Sequence, residues 1–203
     1  MGRFLFVHSM KVAIVKYNAG NIQSLTFALN RLGITPVLSD DPQILLTADK
    51  VIFPGQGEAS SAMRSLRAAG LDQVLRQLKQ PFLGVCLGMQ LMCTSSEEND
   101  TQGLGIIPEK VLRFADPSVK VPHMGWNDIT DLKSPLTQGI DEHSYLYFVH
   151  SYYVPLSEYT IATCAYPQPF SAALHKDNYY AIQPHPEKSA DAGMKLLDNF
   201  LKL

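Results

Sequence analysis

Cysteine is scarce in this chain: Cys86, Cys93 and Cys164 are the only three in 203 residues. So few, and an odd number, exclude a disulfide framework and fit a reducing compartment, so a cytoplasmic location is expected. No apolar run approaches the roughly 20 residues that a membrane-spanning helix needs. Neither sign of charge is in excess, the formal net charge being -2, and no arginine run or basic patch suggests a nucleic-acid partner. Internal repeats, low-complexity tracts and Pro/Gly/Ser-rich linkers are absent too, which removes the usual reasons to divide a chain of this length. One α/β domain is expected over residues 10–203. Residues 1–9 read as an N-terminal extension or tag. A second methionine, Met10, follows them, and their apolar segment is too short for a signal peptide and has no small-residue cleavage site.

What is present alternates between strand and helix. Val12 to Val15 is a β-branched run. The turn Tyr17-Asn18-Ala19-Gly20-Asn21 follows, with Asn21 placed to cap the next helix. Ile22, Leu25, Leu29 and Leu32 recur at helical spacing, and Gly33 closes them. Pro36 to Leu38 and Lys50 to Phe53 read as strands. Ala62, Met63 and Leu66 stripe another helix that ends near Gly70, and Leu71 to Leu78 adds one more. This rhythm predicts an open, mostly parallel sheet flanked by helices, a flavodoxin-like arrangement. After Thr94 the texture changes. Ser95 to Asp100 reads as a polar loop. Val111 to Phe114, Tyr145 to Tyr153, Thr160 to Tyr166, Ser171 to Leu174 and Tyr179 to Gln183 read as strands, which gives a β-rich second half. Met194, Leu197 and Leu201 mark a terminal helix.

The stretch from Pro81 to Gln90 carries the chemistry. Phe82, Leu83 and Val85 form a buried strand, and Leu87, Leu91 and Met92 continue at helical spacing. Cys86 stands at the junction between Gly84 and Gly88. Gly-x-Cys-x-Gly is the thiol counterpart of the nucleophile elbow, in which glycines permit a sharp turn and close backbone approach. The sulfur is thereby presented at a helix N-terminus, where the dipole favours a thiolate. A thiol nucleophile needs a base, and the base needs a third group to fix its tautomer. His185-Pro186-Glu187 offers both, after a strand and before the last helix. Ligands collect at that edge of an open sheet. The turn Pro54-Gly55-Gln56-Gly57 lies after another strand. It offers a backbone N–H for an oxyanion, beside the Leu87 N–H that follows the nucleophile.

Gly84-Val85-Cys86-Leu87-Gly88-Met89-Gln90 together with His185-Pro186-Glu187 resembles the class I, or triad, glutamine amidotransferases, from about Lys11 to the C-terminus. The Pro-Gly-x-Gly turn, Pro122 to Asn127 and Tyr147 to Tyr152 are similar to the branch whose glutaminase works with a separate (β/α)8-barrel cyclase. The resemblance implies hydrolysis of L-glutamine, with no metal or organic cofactor. Cys86 would attack the side-chain amide, His185 would move protons and Glu187 would orient His185. Leu87, Gln56, Gly55 and Gly57 would form the oxyanion site. Gln90 and Glu98 would hold the glutamine, with backbone contacts from Ser151 and Tyr152. Asn21, His123, Trp126, Tyr147 and Lys188 would lie towards the cyclase, which would receive the ammonia.

Two positions depart from the family pattern. Gln56 replaces a small apolar residue, and Pro184 replaces an aromatic one, removing an N–H next to the base. Three other readings stay open on sequence: a glutaminase for another synthase, such as that of pyridoxal phosphate synthesis; a non-catalytic scaffold subunit; and a free cysteine hydrolase. Trp126 and its neighbours argue against the first, the intact triad residues against the second, and the glutamine-pocket resemblance against the third.

Overall fold

The computed structural model describes residues 10–17 and 22–203. The extension at 1–9 and the cap and interface expectations for Asn21 lie outside the described residues. The strands are β1 (Val12–Val15), β2 (Val37–Ser39), β3 (Lys50–Phe53), β4 (Phe82–Val85), β5 (Cys93–Ser96), β6 (Thr101–Gln102) and β7 (Ile107–Arg113). They continue with β8 (His123–Ile129), β9 (Ser144–His150), β10 (Tyr152–Tyr153), β11 (Thr160–Ala165), β12 (Pro169–Lys176) and β13 (Tyr179–Ile182). The helices are α1 (Ile22–Arg31), α2 (Pro42–Thr47), α3 (Ala59–Ala68), α4 (Leu71–Gln77), α5 (Leu87–Met92) and α6 (Ala190–Lys202).

The main sheet runs β11-β12-β13-β4-β3-β1-β2. From β2 to β13 every pairing is parallel, and β12 and β11 turn antiparallel at one edge. Strands β1, β3, β4 and β13 are buried along their whole length. Their near-continuous apolar character follows from being covered on both faces. One face packs residues such as Phe53, Phe82, Leu66 and Leu75. The other packs Leu29, Ile52, Leu83, Leu197 and Phe200. The fold class is as the sequence suggests: α/β, with a mostly parallel sheet flanked by helices.

The second half differs from expectation in detail. Its last three strands extend the main sheet, and β10-β7-β5-β6 and β8-β9 form two small sheets of their own. The stretch after Thr94, expected as a loop, begins within β5 and continues through a short 3-10 turn, Glu98–Asp100, into β6. Strand β8 carries no clear strand signal, because Gly125 and the polar Asn127 break its apolar alternation. Helix α2 is a further addition. Asp41 accepts a hydrogen bond from Gln43 N at 2.8 Å there, and Pro42 stands at the first helical position. Both are ordinary helix-start signals.

Candidate active site

Strand β4 ends at Cys86, which adopts φ 53° and ψ −111° before α5 begins. A left-handed φ at a non-glycine residue is strained and persists only where its surroundings enforce it. Two hydrogen bonds enforce it. Cys86 N donates to Ile182 O at 2.8 Å, and Gln90 N donates to Cys86 O at 3.2 Å. The flanking glycines are there for space. A Cβ at Gly88 would collide with the Phe53 carbonyl, and one at Gly84 with the Met92 sulfur. Gly55 in the Pro54–Gly57 turn is held to the same standard, since a Cβ there would strike Gly88 N and Leu87. The turn is therefore packed directly onto the elbow. Its other end is tied by Tyr17, whose hydroxyl donates to Pro54 O at 2.6 Å.

The base arrives from the far half of the chain. His185 Nδ1 lies 2.8 Å from Glu187 Oε1, and the two side chains are only 2% and 4% exposed. This contact fixes the tautomer: Nδ1 donates to the carboxylate and Nε2 is left for the reacting groups. Nε2 is buried and has no hydrogen-bond partner among the described residues, and Cys86 acts on the imidazole electrostatically. Burial alone would pull the imidazole pKa down. The sulfur and the Glu187 carboxylate outweigh it and hold His185 up at about 10. The loop carrying the pair is pinned on both sides. His185 N donates to Tyr147 O at 2.9 Å, Ser189 Oγ donates to His185 O at 2.6 Å, and Tyr147 N donates to Ser189 Oγ at 2.9 Å. Next to Pro184 the strand bond from Gln183 N to Ala172 O is made at 2.8 Å.

A cavity of about 400 Å³ opens over the sulfur. Cys86, Leu87, Gln56, Gly57, Gln90, Glu98, Ser151, Tyr152, Tyr147, Lys188 and His185 all line it. Leu87 opens α5, so its N–H has no acceptor within the helix and is available to a ligand. Glu98, expected from an acidic loop, has one oxygen anchored by Ala59 N at 2.8 Å. Burial raises its pKa, and nearby Glu58 adds to that. Gln90 Nε2 gives its two protons to Tyr152 O and to Gln183 Oε1, both at 2.9 Å. Only the Gln90 carbonyl oxygen is left to meet a ligand, and it can only accept. The Tyr152 carbonyl is filled as well, by Gln90 and by His150 Nδ1 at 2.8 Å.

Of the residues expected to face a partner, Trp126 is 52% exposed and stands against Tyr147, with Lys188 over the Tyr147 ring. Met124 and Tyr145 share that face of the β8-β9 ribbon and are exposed too. His123 does not. It is 4% exposed, on the opposite face, stacked between Phe148 and Tyr166. Strand alternation decides this, because His123 has the parity of Ile129, not of Trp126. Its Nδ1 donates to His150 Nε2 at 3.0 Å, a direction fixed because His150 Nδ1 already donates to Tyr152 O. Burial holds both imidazoles neutral, with pKa values pulled down to about 4 for His123 and about 3 for His150. Sequence reasoning also missed Tyr17, Gln183 and Ser189. The contacts of Tyr17 with Pro54, Ser189 with Tyr147 and Gln183 with Cys86 span 37, 42 and 97 residues, so their roles follow from the tertiary fold.

A buried Cys-His-Glu set at the carboxyl edge of a parallel sheet, with a Gly-rich turn packed on the cysteine, is the layout that nucleophilic thiol chemistry needs. The sequence agrees: residues 13–203 match the family model for glutamine amidotransferase class-I, and the chain belongs to that family. Within it, the chain is 56% identical over 196 residues to the imidazole glycerol phosphate synthase subunit HisH of Bacteroides fragilis, covering 96% of this chain and 100% of that one. It is 44% identical to the HisH subunit of Photobacterium profundum, covering 96% of this chain and 98% of that one. Among solved structures it is similar in fold to a glutamine amidotransferase, with TM-score 0.74, 20% identity and coverage of 94% of this chain and 97% of that one. It is likewise similar to PurLQS from Thermotoga maritima, with TM-score 0.72, 17% identity and coverage of 95% and 98%.

Proposed function

We propose that this protein is the glutaminase subunit of an imidazole glycerol phosphate synthase, hydrolysing L-glutamine to glutamate and ammonia for histidine biosynthesis. The observation that carries the chemistry is the sulfur of Cys86 beside the buried His185–Glu187 pair, at the floor of the cavity. The sulfur attacks the side-chain amide carbon. The carbonyl electrons move to oxygen, which the Leu87 N–H and the Gln56 turn receive. His185 Nε2 gives its proton to the departing nitrogen, ammonia leaves, and a thioester remains. A water molecule, deprotonated by His185, then attacks the thioester. Glutamate leaves, and the proton returns to the Cys86–His185 pair. Glu187 compensates the imidazolium throughout. Gln90 Oε1 and the free oxygen of Glu98 are acceptors in the cavity, suited to the α-ammonium of an amino acid.

The partner we infer is a (β/α)8-barrel cyclase. The exposed apolar face formed by Met124, Trp126 and Tyr145 flanks Tyr147 and Lys188 at the cavity rim, so a protein docked there would cover the exit from the site. Covering the exit would keep ammonia from water, where protonation would remove its nucleophilicity. The reducing cytoplasm suits a chain whose three cysteines are free. The reading is tested by measuring glutamate release from glutamine with and without a liganded barrel cyclase. Strong activation by the cyclase is expected. Glutamine turnover that a cyclase leaves unchanged would reject the partner, and no turnover in either state would reject the activity.

A further inference from the structure

We infer that Gln183 is a further residue of the catalytic centre, donating a hydrogen bond from its side-chain amide to the sulfur of Cys86. Gln183 is fully buried, at the end of β13, and its Nε2 lies 3.6 Å from Cys86 Sγ. The orientation of the amide follows from its neighbours. The Tyr152 carbonyl can only accept, so the Gln90 atom facing it is nitrogen. The second proton on that nitrogen points at Gln183, so the Gln183 atom there is oxygen. Nε2 of Gln183 is then the atom that faces the sulfur.

The sulfur thus has two different neighbours besides His185. The Val149 carbonyl, 3.8 Å away, can take a proton from a thiol and offers nothing to a thiolate. The Gln183 amide does the reverse, since donation to an ionised acceptor is roughly twice as strong as to a neutral one. Gln183 therefore favours the thiolate before attack and again when the thioester breaks and the sulfur leaves. Its oxygen is held by Gln90, which lines the cavity, so the same amide links the glutamine pocket to the nucleophile. The other ionisable groups near the sulfur or in its cavity are His185 and Glu187 beyond β13, His150 and Tyr147 on β9, Tyr152 on β10, Tyr17 after β1, and Glu98 and Lys188. All stay in place in the test.

The inference rests on Cys86 being the nucleophile, and the experiment separates the two. The rate of alkylation by iodoacetamide is followed against pH in the full chain, with Cys86→Ala as the background. Wild-type labelling at Cys86 alone establishes the reactive thiol. Gln183→Met keeps the volume and removes the donor. The inflection of its alkylation profile should move up by about one pH unit, the size expected for losing one hydrogen bond to a charged group. Gln183→Glu keeps the acceptor for Gln90 and sets a carboxylate against the sulfur, so its profile should move further. An inflection that stays put in a folded Gln183→Met protein overturns the inference. An independent check needs no change at Gln183. Its side-chain amide proton should shift in the NMR spectrum between wild type and Cys86→Ala at the pH where the wild-type thiol is ionised. No shift there overturns the inference as well.

Discussion

The elbow half and the β8-β9 half of the site hold their functional atoms by different means. Around Cys86 the constraint is steric and made largely of backbone: β3, α5 and the Pro54–Gly57 turn approach so closely that Gly55 and Gly88 have no room for a Cβ. On the opposite wall it is polar and made of side chains. Hydrogen bonds run from Asn127 through His123, His150, the Tyr152 carbonyl and Gln90 to Gln183. Close packing fixes position with no titratable part. A buried polar network fixes it equally well, but only while every member keeps its proton in the right place. The two halves should therefore fail under different insults.

Removing a reacting group should have the largest effect, since no amount of scaffold replaces it. Cys86→Ala should abolish glutamine hydrolysis with the fold intact. A glutamine-analogue electrophile should label Cys86 and spare Cys93 and Cys164, whose thiols burial pushes up, Cys164 to about 12. Equal labelling of all three in folded protein would sink the assignment. His185→Ala should lower turnover roughly 10²–10⁴-fold, with Glu187→Gln costing less. A near-normal rate for His185→Ala would demand another base. His150 would be the first to examine, although its proton-accepting nitrogen already receives His123 Nδ1–H.

The steric half comes next. Gly88→Ala would place a methyl against the Phe53 carbonyl, backbone against backbone, where nothing flexible can yield. A loss of about 2–3 kcal/mol in unfolding free energy is expected, the upper range for overpacking, with little dependence on pH. Urea midpoints at two pH values would measure it. A loss below about 0.5 kcal/mol would show that strand and helix can part without cost, contrary to the close-packing account.

This contrast also explains what the sequence showed. Cys86 and His185-Pro186-Glu187 were legible because each cluster sits within a few residues, with glycine or proline punctuation. The parallel core was legible because β1, β3 and β4 are short runs that are apolar apart from Lys50 at the start of β3. The polar wall was not. Gln183 and Gln90 are 93 residues apart, and His123 and His150 are 27 apart, paired only by the register of β8 on β9. Without that register, His123 could not be told from the exposed Trp126 three positions on.

The polar half should reveal itself in acid. His123 and His150 have folded pKa values pulled below the ordinary 6.5, to about 4 and about 3. The unfolded chain binds protons there first. Their contribution is therefore complete above pH 6.5 and is lost as pH falls towards 4, on the order of 1 kcal/mol per pH unit. His185 has the opposite sign. Its pKa is raised to about 10, so its contribution is complete below 6.5 and is lost as pH rises through 10. Thermal unfolding of wild type and His150→Gln across pH 4–7 separates the first effect from general acid destabilisation. The variant should lose stability less steeply. Parallel curves would mean that the imidazole pair is not the acid-sensitive element.

The smallest effect concerns the Pro54–Gly57 turn of the elbow half, where two glycines differ in what they are needed for. Gly55 is there for space, whereas Gly57 has φ +113° with no atom near an added Cβ. Gly57→Ala therefore meets no collision and changes only which backbone conformations are cheap, by about 1 kcal/mol. If partner binding rotates the Gln56 peptide to aim its N–H at the oxyanion, alanine at 57 changes the populations of the two orientations. About 1 kcal/mol corresponds to roughly a fivefold change in their ratio. The quotient of cyclase-activated to basal turnover should move by that factor, while Gly55→Ala should damage both rates through the elbow. Tyr17 holds Pro54 O and leaves the Gln56–Gly57 end as the part free to turn. An unchanged quotient in Gly57→Ala, with the cyclase still bound, would count against Gly57 as the hinge and place the regulated step elsewhere in the site.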